Sequence, residues 1–340
     1  MVNAPADQGT GRRFERIKDV IFKNMTTQDI YKLAVELGSK ADLRGLARVK
    51  KHLERTKEKY DKLGKDRKAE FDLEKLTNPY SDTRVLVDNK KKQIKKVLVG
   101  IDIDGAELLL ADKLGDIDLV ISHHPDGAAL ADMHDVMHLQ AQVLADYGVP
   151  INIAESVIRP RISEVSRKLS PINHSRNSDI ARVLGLDYMC THTIADNLGA
   201  RFLVDLIKKN QAKLETVGEV LALLKSIPEY KEAIKIKAGP RLFTGHEDHS
   251  CGKIAVTEFT GGTSGSKDIY EKIAQAGIGT IIGMHMSEEH RAEAEKYHLN
   301  VVIAGHMASD SLGMNLFLDE LEKKGVKVMP ISGLIRIKRK

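Results

Sequence analysis

The sequence has no tryptophan, only two cysteines and few aromatic residues, which make up 4% of its 340 positions. Two cysteines are too few for a disulfide framework and fit a reducing compartment, so we expect a cytoplasmic protein. No run of about 18 apolar residues exists, and the first residues lack a signal peptide's apolar stretch, so we expect neither a membrane span nor secretion. Because aromatic stacking platforms for bases are scarce, nucleic-acid binding is an unfavoured function.

The remaining composition is that of a globular protein, with 42% hydrophobic and 30% charged residues and a net charge of +5. It excludes wholesale disorder, and the length favours two domains. Basic residues outnumber acidic ones in residues 1–98, and the reverse holds afterwards. That basic front end fits either an acidic partner or the solvated faces of charged helices, and we favour the second interpretation because acidic residues are interleaved.

The chain divides at the breaker Thr77-Asn78-Pro79. Before it, apolar residues recur at helical spacing from Arg12 to about Leu73, which predicts a basic helical extension over residues 1–78. After it, apolar β-branched segments alternate with amphipathic helices, which predicts an α/β fold of two lobes with mainly parallel sheets. We assign residues 79–206 to the first lobe, 207–243 to a connecting segment and 244–340 to the second lobe. Exchange of segments between the lobes, or a single larger sheet, is the alternative.

The predicted strands fall into two groups of four. Those of the first lobe are Lys96–Asp104, Ile117–Ser122, Val149–Ala154 and Tyr188–Thr193. Those of the second lobe are Lys253–Phe259, Gly279–Met284, Asn300–Ala304 and Val326–Pro330.

Two adjacent histidines close the second predicted strand, in the run Ser122-His123-His124-Pro125. In parallel α/β sheets, ligands bind just beyond the carboxyl ends of the strands. Histidine is a common ligand of first-row metals, so the pair indicates a metal site, with two partly exposed loop histidines as the alternative.

Two more strand ends carry a histidine four residues before an aspartate: His192 with Asp196, and His306 with Asp310. If a helix begins there, this spacing puts both side chains on one face. Either pair alone is weak evidence for a metal site, because an aspartate at a helix start is more often an N-cap than a ligand. Three imidazole-bearing strand ends in one α/β protein are a much stronger indication.

These four histidines and two aspartates are too many for one catalytic zinc, which typically takes three protein ligands and water. Shared between two divalent ions, they leave open positions for water or substrate. Paired metals lower the pKa of bound water and clamp the reacting group, which suits hydrolysis. The mixed ligand set fits Zn, Fe, Mn, Co or Ni without choosing among them.

At these residues the chain resembles the Nif-three-like, or YbgI-type, dinuclear-metal proteins, from about Lys96 to Gly333. The resemblance is carried by the runs IDLVISHHP, CTHTIADN and IAGHMASDSLG. It implies a two-metal site between two α/β lobes, with the ligands His123, His124, His192, Asp196, His306 and Asp310. It also implies a ring-shaped homo-oligomer, often a hexamer. The family's last ligand is usually glutamate, so the shorter Asp310 is compatible with terminal ligation and leaves a bridging role open.

Other histidines near strand ends are candidates for proton transfer: His134 and His138 on the helix after the histidine pair, and His285 after a later strand. Surface positions are the favoured alternative for the first two. His246 and His249 indicate a loop turn more than a zinc site. The glycine-rich run from Phe259 to Ser266 fits either an anion-binding loop or a tight turn.

The sequence therefore predicts a metal-dependent hydrolase acting on a nucleotide-like or other phosphorylated small molecule. Some members of the resembled family carry a GTP cyclohydrolase label. The alternative is a non-catalytic protein of metal binding, delivery or regulation, a role also proposed in that family. A serine hydrolase is not supported, because no G-x-S-x-G run is present.

Overall fold

The computed structural model describes residues 25–91 and 93–339. Up to residue 210 the helices are α1 (Thr27–Ala41), α2 (Leu46–Asp61), α3 (Lys65–Glu70), α4 (Gly105–Leu114), α5 (Gly127–Ala131), α6 (Met133–Val136), α7 (His138–Tyr147), α8 (Ile151–Leu169), α9 (Arg176–Val183) and α10 (Thr193–Asn210). The strands of this part are β1 (Thr83–Val87), β2 (Lys96–Gly100), β3 (Leu119–Ser122) and β4 (Asp187–Thr191).

The rest of the chain continues with helices and strands in alternation. Its helices are α11 (Val217–Lys225), α12 (Pro228–Lys235), α13 (Ile269–Gln275), α14 (Glu288–Lys296) and α15 (His306–Lys323). Its strands are β5 (Arg241–Thr244), β6 (Lys253–Val256), β7 (Ile278–Gly283), β8 (Asn300–Ile303) and β9 (Lys327–Ile331). None of the described helices is both long and apolar enough to cross a membrane.

The described part of the N-terminal extension is helical, as predicted. Thr26 caps α1 in a reciprocal capping box with Asp29, and the side chains of Ile30 and Ala34 are buried against the first lobe. By contrast, α2 buries only Val49 and exposes a charged surface. The predicted helical residues 12–24 lie outside the described residues.

The chain builds two sheets of similar topology. The first has the strand order β1-β4-β3-β2-β9 and the second the order β5-β8-β7-β6. In each sheet an antiparallel edge strand, β1 or β5, precedes a set of parallel strands. The predicted α/β class with mainly parallel sheets is therefore confirmed. The last strand, β9, pairs with β2, so residues 244–340 contribute to both sheets; the domain boundaries stay predictions.

One predicted strand is wrong, and two strands were not predicted. Residues Val149–Ala154 do not form a strand, because α8 begins at Ile151 directly after Pro150. Buried residues of α8 recur at helical spacing (Ala154, Ile158, Ile162 and Val165), and this period, not the short apolar run, decides the structure. The missed strands β1 and β5 are short edge strands.

The two lobes meet where α10 crosses α15, through small residues. A Cβ atom built on Gly313 would lie 2.1 Å from the carbonyl oxygen of Ala195, so the backbones touch. Both helices begin with a histidine-to-aspartate pair at their N-terminal ends, and the crossing therefore fixes the two pairs relative to each other.

Gly313→Ala is expected to destabilise the fold by about 1–3 kcal/mol, although alanine normally favours a helix over glycine. Gly199→Ala on α10 is the matched control, since its Cβ would meet Phe259 at 3.4 Å, an ordinary contact. Chemical denaturation of both variants checks this expectation. Equal stability of the two variants would contradict the close crossing.

Candidate metal centre

Three strand ends supply the six predicted donors. His123 and His124 follow β3, His192 is the N-cap of α10 after β4, and His306 is the first residue of α15 after β8. Because β3 and β4 are parallel neighbours, in register at Ser122 and Cys190, their terminal histidines lie at the same edge of the first sheet. The crossing of α10 and α15 brings the second lobe's pair to that edge.

Asp310 lies at the middle of the cluster, and its two oxygens face different histidines. Oδ1 is 3.5 Å from Nε2 of His123. Oδ2 is 3.5 Å from Nε2 of both His124 and His306. His123, Asp196 and Asp310 form one group of converging donor atoms, which we call the inner triad. His124, His306 and Asp310 form a second group, the outer triad.

His192 and Asp196 complete the inner side. Nε2 of His123 is 3.4 Å from Oδ1 of Asp196, and Nε2 of His192 is 3.8 Å from its Oδ2. The ring of His192 lies 5.0 Å from that of His123, centroid to centroid. The structure thus brings together all six residues that the sequence indicates.

Polar partners orient the imidazole rings by contacting Nδ1, the ring nitrogen that does not face the other donors. Nδ1 of His192 lies 2.9 Å from Oδ2 of Asp82, which also accepts a hydrogen bond from the Thr193 hydroxyl at 2.6 Å. Nδ1 of His124 lies 2.6 Å from Oδ1 of Asp102. Such contacts fix the ring orientation and leave Nε2 free to face a metal.

His123 is oriented by the backbone. Its Nδ1 lies 3.2 Å from the carbonyl oxygen of Thr191. A carbonyl only accepts, so Nδ1 donates to it and Nε2 is the ring nitrogen that faces the carboxylates. Two facing acceptors repel each other unless a cation or a proton lies between them.

The donor set fits a metal by two observations on its own atoms. The buried atoms His123 Nε2, Asp196 Oδ1 and both carboxylate oxygens of Asp310 have no hydrogen-bond partner among the described residues, although buried polar atoms are normally paired. The separations of 3.4 and 3.5 Å also match donors around one ion, since ligands about 2.1 Å from a tetrahedral metal lie roughly 3.4 Å apart. Such clusters can hold metal ions.

The charges in the cluster are strongly coupled. Burial opposes the charged form of His192, but Asp196 and Asp82 outweigh it and raise the pKa of His192 to about 9. Burial raises the pKa of Asp196 to about 6 despite its imidazole neighbours. Burial also favours a raised pKa for Asp310, but His123 and the other imidazoles around it outweigh burial and hold that pKa well below its usual range. Burial lowers the pKa of His306 to about 4.

One side of the cluster is open. The side chains of His123 and Asp310 are 0% and 1% exposed, whereas those of His124 and His306 are 26% and 38% exposed. The outer triad therefore faces solvent while the inner triad is enclosed. His124 and His306 therefore give a small molecule access to the cluster from this side.

Of the predicted proton-transfer groups, the structure brings one to the cluster. The ring of His285 lies 4.7 Å from that of His306, and its Nδ1 lies 3.4 Å from the Ser264 hydroxyl. His134 instead lies near Asp132, and His138 lines a separate cleft formed by α2, α7 and α8. Neither has a contact with the six donors among the described residues.

Two other sequence features have structural roles. The glycine-rich run is a loop whose carbonyls at Gly261 and Thr263 accept hydrogen bonds from Gln140, at 2.8 and 2.7 Å. Gly261 and Gly262 have φ values of 95° and 85°, so the tight-turn interpretation describes this loop. His246 and His249 contact Asp248 and Asn300 and belong to none of the described donor groups.

Sequence reasoning missed Asp82 and gave Asp102 no part in this site. Asp102 follows the end of β2, so the strand-end rule that selected the histidines would also have selected it. Asp82 precedes the antiparallel edge strand β1, whose pairing of Thr83 with Thr191 places it beside His192. No local signal in the sequence indicates that pairing.

Asp82→Ala is expected to weaken metal binding about 10- to 100-fold, because it frees the His192 ring without removing a donor. Asp88→Ala is the control, since Asp88 directly follows β1 and contacts Gln28 and Lys90 instead of the metal-site donors. Competition with a chromogenic chelator measures both affinities. An unchanged affinity in the Asp82 variant would remove Asp82 from the site.

The fold and the donor cluster define a two-lobed α/β protein able to bind metal. No protein-family model matches the chain, and neither does any curated protein. Among solved structures, a NIF3 superfamily protein from Sphaerobacter thermophilus is 30% identical with a TM-score of 0.69, over 75% of this chain and 92% of that chain. The chain belongs to the NIF3 superfamily, which confirms the resemblance found in the sequence.

Two further structures match with lower similarity. Reduced HcgD from Methanocaldococcus jannaschii is 16% identical with a TM-score of 0.44, over 78% of this chain and 94% of that one. The protein ybgI, described as of unknown function, is 17% identical with a TM-score of 0.39, over 71% and 85%.

Proposed function

We propose that this protein binds two divalent metal ions and is a metal-dependent hydrolase of a nucleotide-like or other phosphorylated small molecule. One observation carries the proposal: the two oxygens of the buried Asp310 face different histidines, one in the inner and one in the outer triad. Asp310 would then hold an ion in either triad, one through each oxygen. His192 completes the inner site.

When bound, a pair of such ions lowers the pKa of water and polarises the reacting group. The chain's own residues supply the rest. Asp82 and Asp102 hold two imidazoles in place, and the exposed edge formed by His124 and His306 admits substrate. His285, held by Ser264 beside that edge, transfers a proton to or from the substrate.

The second candidate is a metal-delivery or regulatory protein without turnover, and the exposed outer triad favours it. A half-exposed ligand such as His306, at 38%, lets an ion exchange with solvent or an acceptor. A carrier needs no proton-transfer group, so the effect of removing His285 on turnover distinguishes the two candidates.

Metal analysis by plasma mass spectrometry tests the shared part of both candidates. Wild type is expected to hold about two ions per chain, and His123→Ala/His306→Ala is expected to lose most of them. His246→Ala, at a 66% exposed side chain, is the matched control. Metal-free wild type that takes up no ion on reconstitution would refute the proposal.

A screen of phosphorylated substrates with the metal-loaded protein then separates the candidates. A hydrolase is expected to lose turnover in His285→Ala at unchanged metal content. Turnover of no substrate, together with transfer of one ion to a metal-free acceptor chelator, would favour the carrier. In both cases we expect a homo-oligomer, which sedimentation checks.

A further inference from the structure

A second cavity lies between the N-terminal extension and the first lobe, and it shares no residue with the metal cluster. This cleft has a volume of about 450 Å³, within the range of small-molecule sites. One wall is the face of α2 that carries His52, Thr56 and Lys59. The opposite wall is formed by α7 and α8, and it includes His138 and Arg159 among its lining residues.

Ion pairs and hydrogen bonds hold the walls in place. Arg48 of α2 pairs with Asp146 at the end of α7 at 2.8 Å. Lys75 pairs with Asp132 at 2.7 Å and with Asp135 at 3.0 Å. These contacts tie the extension to the first lobe on both sides of α7, so the cleft is built into the fold.

The cleft has positive charge without partners. The side chains of Lys59 and Arg159, on opposite walls, make no ion pair or hydrogen bond with any other described residue, and neither do the rings of His52 and His138. Partial burial lowers the pKa of His52, as do the charges of Arg44 and Lys59, whereas Asp135 raises it. Because burial disfavours charge of either sign, the preference of the cleft for an anion rests on the unpaired cations Lys59 and Arg159.

The remaining polar groups limit the kind of anion. Glu155 lines the same cleft, also without an ion pair among the described residues. Gln142, Thr56 and Asp135, which pairs with Lys75, line it as well. A carboxylate accepts hydrogen bonds from hydroxyl groups but repels a continuous phosphate backbone. The lining has no Phe, Tyr or Trp on which bases could stack.

We propose that this cleft binds a phosphorylated small molecule with hydroxyl groups, of the sugar-phosphate or nucleotide class. Lys59 and Arg159 bind the phosphate, and Glu155 accepts hydrogen bonds from the hydroxyls. Because Arg159 offers a planar pair of donors, it binds phosphate at two oxygens. His138 belongs to this second site and not to the metal centre.

Calorimetry with ribose 5-phosphate and the metal-loaded protein tests the proposal. Lys59→Ala and Arg159→Ala are each expected to weaken binding about tenfold or more. Lys57→Ala, on the same helix but outside the cleft, is the control and is expected to keep affinity within about twofold. Glu155→Gln is expected to weaken the binding of ribose 5-phosphate and to leave the binding of inorganic phosphate unweakened. Ribose without a phosphate is expected not to bind.

The metal centre is a competing source of phosphate binding, and His124→Ala/His306→Ala excludes it. Retained binding in that variant with loss in Arg159→Ala supports the cleft. Loss in the metal-site variant with retention in Lys59→Ala and Arg159→Ala would overturn the proposal and leave the proposed metal centre intact. Much tighter binding of a single-stranded RNA oligonucleotide than of ribose 5-phosphate would also overturn it, because the basic face would then be a nucleic-acid surface.

Discussion

Asp310→Ala is expected to remove both metal ions from the protein, whereas His306→Ala removes only one. The reason is the position of the carboxylate, which faces His123 through one oxygen and His306 through the other, each at 3.5 Å. Loss of the side chain takes a donor from each triad, and the other carboxylate of the cluster, Asp196, faces only the inner histidines His123 and His192. Metal content per chain after gel filtration measures the difference.

Asp310→Asn is the matched variant for this experiment. It keeps the size of the buried side chain, which is 1% exposed, but removes the negative charge and one oxygen. We expect it to keep the fold and lose at least one ion. Asp205→Ala on α10, at a 64% exposed side chain, controls for removing an aspartate. Two ions retained in Asp310→Ala would show that Asp310 is not shared between them.

The convergence of the six donors could be predicted from the sequence because they follow buried parallel strands. The apolar runs before His124, His192 and His306 are each recognisable, and parallel strands bring their carboxyl ends to one edge. The prediction needed no knowledge of the strand order within the sheets. It also needed no knowledge of how α10 crosses α15, although that crossing supplies the second lobe's donors.

Features that depend on nonlocal pairing could not be predicted. The edge strand β1 pairs antiparallel with β4, and this register alone brings Asp82 to His192. Likewise, β9 joins the first sheet beside β2, although it follows the second lobe in the chain. His134 and His138, expected on one helix, lie on two: His134 belongs to the short α6, whereas His138 begins α7 and lines the cleft against α2.

Metal binding is expected to tighten about tenfold per pH unit between roughly pH 7 and 9, the second large effect that the site predicts. In the metal-free protein the pKa of His192 is raised to about 9, against the desolvation of its buried ring, by Asp196 and Asp82. An ion that binds Nε2 must displace that proton. Affinity therefore rises with pH up to about 9 and levels off above it.

Below pH 6 the metal affinity falls more steeply with falling pH. Burial raises the pKa of Asp196 to about 6, so its carboxylate then also holds a proton that the metal must displace. His306 adds nothing to the slope in this range, since burial lowers its pKa to about 4 and the ring is already neutral. Titration calorimetry in two buffers of different ionisation enthalpy counts the released protons. At least one proton is expected at pH 7.5, because Asp310 and Asp102 also raise the pKa of His124 against the desolvation of its ring. More are expected at pH 5.5 and almost none at pH 10.

Asp82→Asn separates this explanation from a general effect of pH on the fold. Asparagine keeps a carbonyl acceptor for Nδ1 of His192 but removes one of the charges that raise its pKa. The variant is expected to release fewer protons than wild type at pH 7.5 and to show a flatter affinity profile between pH 7 and 9. An unchanged proton count would mean that a group other than His192 gives up the proton when the metal binds.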